Sequence, residues 1–192
     1  MNEYLVSKIE YYVKEILKLL GEDIERPGIR ETPRRVAQTL LELTRGLREE
    51  EPQVKFFPIT YKVENSLIIV EDIRFHSLCE HHLLPIIGSV SIAYIPEGLE
   101  VPGLSKIARL VEWYSSRLIL QERFTQELTH YLFRKLNARF IYCKVCAVHL
   151  CTLIRGVKNE SMKLVTEYWY GDTTNVNLDE VRKSVKCRIN LK

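Results

Sequence analysis

The chain has 192 residues and a formal net charge of +3, with 46% hydrophobic and 28% charged residues. This is the composition of an ordinary globular protein, and the length fits one domain with or without a small extension. The small net charge gives no bulk electrostatic argument for a nucleic-acid partner, and no apolar run approaches the roughly 18 residues that a membrane span needs. We therefore expect neither nucleic acid nor membrane as a partner.

The N-terminus and the cysteine count bear on the cellular compartment. Charged residues are scattered through the first twenty positions, so the segment lacks the apolar core of a secretion signal. Five cysteines are an odd number, which argues against a disulfide framework and in favour of metal ligands or buried thiols. We expect a cytoplasmic protein without a disulfide framework.

The first 53 residues have a helical pattern. Apolar residues three or four apart predict a helix over residues 4–20, with Gly21 as its C-cap. Thr32 and Pro33 are typical of the N-cap and first position of a second helix. Because the acidic stretch Arg48–Gln53 indicates a linker, we predict a helical extension over residues 1–53 and a main domain over residues 54–192.

The main domain mixes strand and helix patterns. Strands are predicted at Lys55–Val63, Ser66–Glu71 after a turn at Asn65, Ile86–Ile95, 139–155 and Lys163–Tyr170. Helices are predicted from about Ser105, from about Glu122 and, capped by Asn177, at the C-terminus. Grouped rather than alternating elements predict an α+β fold, with a four-stranded antiparallel sheet and two helices on one face. Such a sheet has open edges that other subunits could cover.

Five potential metal ligands lie in two short segments. They are Cys79, His81 and His82 in the first segment and His149 and Cys151 in the second. Thiolate and imidazole groups are the ligands that zinc prefers. Three of them are enough to hold a catalytic zinc that keeps a position open for water, and the remaining histidines would then stand beside the metal. A structural zinc would use four ligands.

Spacing narrows the choice of ligands. Cys79 and His82 are three residues apart and can converge on one ion in a turn. If residues 139–155 form one strand, His149 and Cys151 share a face about 6.6 Å apart, and Arg155 shares it too. Cys143 lies about 26 Å from Cys151 along that strand and Cys146 points to the other face. We interpret Cys143 and Cys146 as buried small residues rather than as a metal-binding CxxC motif.

Four separated blocks, in this order, resemble GTP cyclohydrolase I. They are Ser77–His82, Gly103–Arg109, Gln121–Arg123 and His149–Cys151 followed by Arg155-Gly156. The resemblance spans roughly residues 55–160 and extends weakly upstream through Thr32–Ala37. It implies the tunnelling fold, in which four-stranded sheets from several subunits join edge to edge into a barrel with helices outside. It also implies a decamer of two stacked pentamers, with active sites at subunit borders.

The resemblance implies a reaction and a metal. Members of the family convert GTP into 7,8-dihydroneopterin triphosphate and formate, and the matching positions make Cys79, His82 and Cys151 the ligands of Zn²⁺. The zinc would activate a water molecule that attacks guanine C8, the carbon later lost as formate. His149 and His81 match the family's two catalytic histidines. A histidine suits this role because it can transfer protons near neutral pH. We assign His149 to the purine ring and His81 to ribose opening.

The resemblance also places the substrate. Glu122 matches a carboxylate that accepts hydrogen bonds from guanine N1–H and its 2-amino group, a pair that adenine does not offer; Gln121 would assist it. Cations and a helix N-terminus would receive the triphosphate. The residues matched to these roles are Ser105, counted among the catalytic residues, and Lys106, Arg109, Arg155 and Arg35, the last possibly supplied by a neighbouring subunit.

Two departures from the family pattern keep alternatives open. Gln38 stands where the family has a lysine, which weakens one phosphate contact. The strand Lys163–Tyr170 carries a carboxylate and large aromatic residues where many relatives are rich in serine and threonine. We therefore also consider a related tunnelling-fold enzyme that acts on another purine or pterin, and a non-catalytic zinc-binding scaffold. The scaffold alternative leaves His81, His149 and Glu122 without a role.

Overall fold

The computed structural model describes residues 2–59 and 66–189. Contacts group the chain into two units, Met1–Arg45 and Gly46–Lys192. The boundary expected between residues 53 and 54 stays a prediction.

The first unit is a pair of helices, α1 (Glu3–Leu19) and α2 (Thr32–Leu43). They pack through Val6, Ala37 and Leu41. Gly21 follows α1 with φ +85°, the left-handed conformation that glycine adopts without a Cβ clash. The N-cap of α2 is Glu31 rather than the predicted Thr32, because the Glu31 carbonyl accepts the first bond of the helix, from the Arg35 N–H at 3.1 Å.

The second unit is built on a five-stranded sheet of order β5-β2-β3-β6-β7. Its strands are β2 (Ile68–Cys79), β3 (Pro85–Pro96), β5 (Leu118–Ile119), β6 (Ala138–His149) and β7 (Leu164–Gly171). The four long strands pair antiparallel, and the two-residue β5 adds a parallel strand beside β2. The predicted α+β class is confirmed, whereas the prediction of four strands missed β5, which is too short to leave a periodic pattern.

A separate two-stranded sheet pairs β1 (Phe56–Pro58) with β4 (Glu100–Pro102). Only these three residues of the predicted strand Lys55–Val63 form a strand within the described ranges. The rest of that prediction from residue 60 onward, with the turn at Asn65, lies outside the described residues.

Helices cover both faces of the large sheet. They are α3 (Leu104–Ser115), α4 (Gln121–Lys135), the single turn α5 (Leu150–Leu153) and α6 (Leu178–Ser184). On one face, α3 and α4 bury the main core against residues such as Val90, Ile92 and Val145. On the other face, Val181 of α6 packs against a smaller cluster with Ala93 and Tyr142. Within the described ranges, no helix combines the length and apolarity that crossing a membrane requires.

The strand β2 continues past its predicted end at Glu71. A bulge between Val70 and Ile73 interrupts the pairing with β3, and Asp72 has φ 58° there. A bulge adds one residue and shifts the side-chain alternation. The alternating pattern therefore stops at Glu71 in the sequence, although the strand runs on to Cys79.

The strand β6 ends at His149, so the predicted strand over residues 139–155 is wrong beyond that point. Residues Leu150–Leu153 form the helical turn α5. The Ile154 N–H donates to the Leu150 carbonyl at 3.0 Å, and the Thr152 hydroxyl donates to the His149 carbonyl at 2.9 Å. These local bonds replace strand pairing, so a shared strand face does not explain how Cys151 and Arg155 are placed.

The interpretation of Cys146 as a buried residue with a free thiol is wrong. Cys146 and Cys187 form a disulfide, with Cα atoms 6.0 Å apart. Strand alternation does place Cys146 on the face opposite Cys143, as expected, and Cys143 is a buried free thiol. The segment after α6 runs beneath the face with Cys146, a long-range contact that the local sequence does not predict.

Candidate active site

The turn between β2 and β3 carries three of the predicted site residues. Cys79 closes β2, and its N–H and carbonyl bond to the Leu84 carbonyl and the Leu83 N–H at 2.9 and 2.8 Å. The turn requires φ +54° at Leu83, a conformation uncommon for a residue with a side chain. This tight return exposes His81 and His82 beside the buried Cys79.

The predicted metal ligands lie together. One donor atom from each of Cys79, His82 and Cys151 falls within 4.8 Å of the other two, and Cys79 Sγ lies 3.8 Å from His82 Nδ1. Zinc bonds of about 2.3 Å to sulfur and 2.0 Å to nitrogen, arranged tetrahedrally, require donors roughly 3.5 to 3.8 Å apart. The three side chains therefore fit a zinc ion by type and spacing after small movements.

The Cys151 thiol is held protonated in this arrangement. Burial raises its pKa, and the neighbouring Cys79 thiol raises it further. A metal binds the thiolate, so it has to displace this proton. Cys151 owes its position to the turn α5, which brings it back toward the end of β2.

His149 stands at the end of β6 and contacts the start of α4. Its Nε2 lies 2.8 Å from Oε1 of Gln121. Burial lowers the pKa of His149, and the negative charge of Glu122 opposes part of that effect. The ring is half-buried and neutral at physiological pH, and the exposed Glu122 lies close enough to act on it.

The short strand β5 explains how α4 reaches the site. Leu118 and Ile119 pair with Leu78 and Cys79, and the Glu80 N–H donates to the Ile119 carbonyl at 3.2 Å. The chain then enters α4 at Gln121. An ion pair between Arg123 and Glu80 joins α4 to the turn after β2.

The structure places the predicted cations on three separate elements. Ser105, Lys106 and Arg109 lie in the first half of α3, with Ser105 and Arg109 exposed. Arg155 is exposed in the loop after α5 and acts electrostatically on Cys151. Arg35 is exposed on α2, in the other unit. Of this set, only Arg155 is tied to the metal group by an interaction within the described residues.

Two threonines that the sequence reading did not single out belong to this region. The Gln121 amide nitrogen lies 3.1 Å from the Thr166 hydroxyl, and Thr166 lies 2.6 Å from the Thr125 hydroxyl. Thr125 lies in α4 and Thr166 in β7, so their hydrogen bond joins the helix to the strand. The sequence signal that could have identified Thr166 is that it is a polar residue on the side of β7 that faces the core.

Comparisons with known proteins identify the family of the chain. The family model for GTP cyclohydrolase I matches residues 9–186. A protein of Pyrobaculum neutrophilum called GTP cyclohydrolase 1 is 53% identical over 87% of this chain and 89% of its own length. Proteins of the same name from Pyrobaculum aerophilum and Sulfolobus acidocaldarius are 51% and 45% identical, each over 86% of this chain and over 88% and 82% of their own lengths.

Among solved structures, an archaeosine synthase QueF-Like in the apo form superposes with a TM-score of 0.46. It is 19% identical and covers 57% of this chain and 97% of its own. That likeness is too distant to carry an argument. The family model and the relatives cover most of the chain, and together they show that the chain belongs to the GTP cyclohydrolase I family.

Proposed function

We propose that the protein converts GTP into 7,8-dihydroneopterin triphosphate and formate, a step of pterin biosynthesis. The observation that carries the proposal is the three-ligand group Cys79, His82 and Cys151, with the half-buried His149 two residues before Cys151. Three ligands leave one position of a tetrahedral ion for water, as in catalytic zinc sites. Family membership supplies the substrate.

Cys79, His82 and Cys151 would hold the zinc. Zinc bound there would supply an activated water molecule at neutral pH for attack on guanine C8. The two thiolates and one imidazole suit zinc better than harder divalent ions.

His149 and His81 would move protons. Ring opening at a purine carbon requires a proton at the adjacent nitrogen, and a neutral imidazole can take up and return one. His149 is half-buried, where fewer waters compete with the substrate. The exposed His81, whose ring centre lies 6.1 Å from that of His82, would act on the ribose.

Glu122 would select guanine. Its exposed carboxylate at the start of α4 stands beside His149, so a base held by it would lie next to the proton-transfer group. A carboxylate can accept two parallel hydrogen bonds from guanine but not from adenine.

Ser105, Lys106 and Arg109, with Arg155 and Arg35, would receive the triphosphate, most of them from a neighbouring subunit. The helix α3 ends near the metal end of β2, where the Ser77 hydroxyl donates to the Arg117 carbonyl at 2.7 Å. Its 12 residues span about 18 Å, so its first turn lies well away from Cys79 in the same chain. This separation favours active sites at subunit borders in a decamer closed into a barrel, and β7, the edge strand of the sheet among the described residues, offers a place for such pairing.

The test is a product assay with two nucleotides. Zinc-loaded protein incubated with GTP should release formate and a product that becomes a fluorescent pterin on oxidation, and ATP should give neither. Glu122→Gln should raise KM for GTP with zinc content unchanged. Wild-type protein that holds one zinc per chain and releases no formate would refute the proposal and favour a zinc-binding scaffold or a different substrate.

A further inference from the structure

The amide of Gln121 is completely buried and its orientation is fixed. Its nitrogen has three acceptors within hydrogen-bond distance, which its two hydrogens share: the carbonyls of Val145 and Leu164, at 3.3 and 3.2 Å, and the Thr166 hydroxyl at 3.1 Å. Gln121 has 0% of its surface exposed. Carbonyl oxygens only accept hydrogen bonds, so the nitrogen rather than the oxygen of this amide must face them.

The two threonines give this arrangement a consistent direction. The Thr125 hydroxyl donates its single hydrogen to the backbone carbonyl of Gln121 at 2.7 Å. Thr166, which is 2.6 Å from Thr125, must then donate to Thr125, and its lone pairs remain free to accept from the Gln121 amide. Each hydroxyl donates once, and the Thr166 oxygen is thereby oriented to accept from the side-chain amide of Gln121.

The amide oxygen therefore faces His149. It lies 2.8 Å from Nε2, and an amide oxygen can only accept, so Nε2 carries the hydrogen. In the neutral ring, Nδ1 is then the unprotonated nitrogen. Among the described residues, no protein group is found bonded to Nδ1.

We infer that Gln121 is a positioning residue that fixes the His149 ring with hydrogen on Nε2 and leaves Nδ1 to exchange protons with the substrate, while Thr166 fixes Gln121. This inference rests on the proposed function for the chemical use of His149. It replaces the expectation that Gln121 contacts guanine, because every hydrogen-bonding group of its side chain is already used inside the protein.

Steady-state kinetics with zinc-loaded variants separate the two roles. Gln121→Met should lower kcat about 10- to 100-fold, the usual cost of removing a group that orients a site histidine. KM for GTP and zinc content should stay at the wild-type values. A raised KM with unchanged kcat would mark a guanine contact and overturn the inference.

Thr166 gives a second set of variants if Gln121→Met does not fold. Thr166→Val keeps the shape and removes the hydroxyl, so kcat should fall, and Thr166→Ser should restore it. Thr129→Val is the matched control, because Thr129 is a buried threonine of α4 whose hydroxyl bonds to the backbone carbonyl of Thr125 and not to the Gln121 amide. Equal kcat values for Thr166→Val and Thr129→Val would contradict the inference.

A spectroscopic measurement tests the tautomer without any turnover. Solid-state NMR of protein labelled with ¹⁵N-histidine at about pH 8, where an imidazole is neutral, should show hydrogen on Nε2 of His149. The signal is assigned by its loss in His149→Gln, and Gln121→Met should give a mixture of tautomers. Hydrogen on Nδ1 in the wild type would overturn the inference. Hydrogen on Nε2 in a protein that does not act on GTP would support the positioning role and reject the proposed function.

Discussion

At the scale of single residues, the side chains that could bind the metal are separate from the histidine proposed to transfer protons. Cys79, His82 and Cys151 converge, whereas His149 is turned toward Gln121. The sequence alone predicts these residues, because the segments Cys79–His82 and His149–Cys151 contain few other side chains that could bind zinc or transfer a proton. It does not predict the Gln121 orientation, which depends on Thr166 of a distant strand.

His149→Ala should separate metal binding from catalysis. The variant should retain one zinc per chain, since His149 lies outside the ligand group, and kcat should fall about 10²- to 10⁴-fold with the loss of the proton-transfer group. Metal analysis and formate release measure the two effects. Loss of zinc from this variant would show that the ligand assignment is wrong.

Zinc binding should weaken as the pH falls. The raised pKa of Cys151 keeps its thiol protonated through the neutral range, so uptake of zinc releases that proton. The apparent affinity should drop about tenfold per pH unit for each proton released, which competition with a chelator between about pH 6 and 8 measures. Cys143→Ala, at a buried thiol outside the group, should show the same affinity and slope as the wild type. A pH-independent affinity would contradict thiolate ligation.

At the scale of elements, the C-terminal segment is fastened to the second face of the sheet. The disulfide joins Cys187 to β6, the Lys186 N–H donates to Glu71 at 2.6 Å, and the Arg188 N–H donates to Asp72 at 2.9 Å. The bulge of β2 thus presents both acidic side chains to this segment. The sequence pattern predicted that β2 ends at Glu71, because Glu71 and Asp72 are polar. Their partners lie more than a hundred residues along the chain and leave no local signal.

Cys187→Ser should lower the free energy of unfolding by about 2 to 4 kcal/mol, the range typical of a disulfide that closes a loop of this size. Denaturant unfolding with and without a reductant measures the effect. The reductant should destabilise the wild type and leave Cys187→Ser unchanged. A thiol count above three in the unfolded, unreduced wild type would contradict the disulfide, because only Cys79, Cys143 and Cys151 are free.

Glu167, the carboxylate of β7 that departs from the family pattern, forms ion pairs with two cationic side chains. Glu167 lies 3.2 Å from the Lys144 ammonium and 2.9 Å from Nε of Arg182 in α6. Burial works to raise the pKa of Glu167, but hydrogen bonds from Lys144 and Arg182 outweigh it and the pKa is lowered. The departure from the family pattern is thus placed in the contact between α6 and the sheet.

Glu167→Gln should destabilise the fold by about 1 kcal/mol at neutral pH, the scale of a partly exposed ion pair. A carboxyl group whose pKa is lower in the folded than in the unfolded state stabilises the protein above its unfolded pKa, and this contribution is lost as the pH falls through the folded pKa. The difference in unfolding free energy between wild type and variant should therefore shrink in acid. Glu160→Gln, in the exposed turn before β7, is the control, and an equal effect of both substitutions would contradict this role.

At the scale of the whole molecule, the periodic patterns predicted the long elements and the mixed class, because each buries one regular face. They failed at β5 and the disulfide, which depend on distant partners, and at the turn α5, which is too short to leave a helical pattern. The decamer, the cytoplasmic location and the extension over residues 1–53 remain predictions. Sedimentation of the zinc-loaded protein should give a decamer, and a stable monomer would contradict sites at subunit borders.

The most direct test of the account is a zinc titration of chelator-stripped protein in the presence of GTP. Formate release should be absent without metal, rise in proportion to added zinc, and reach its plateau at one zinc per chain. His149→Ala should bind the same amount of zinc and release almost no formate. A wild-type chain that binds one zinc at Cys79, His82 and Cys151 and still leaves GTP intact would contradict the central claim.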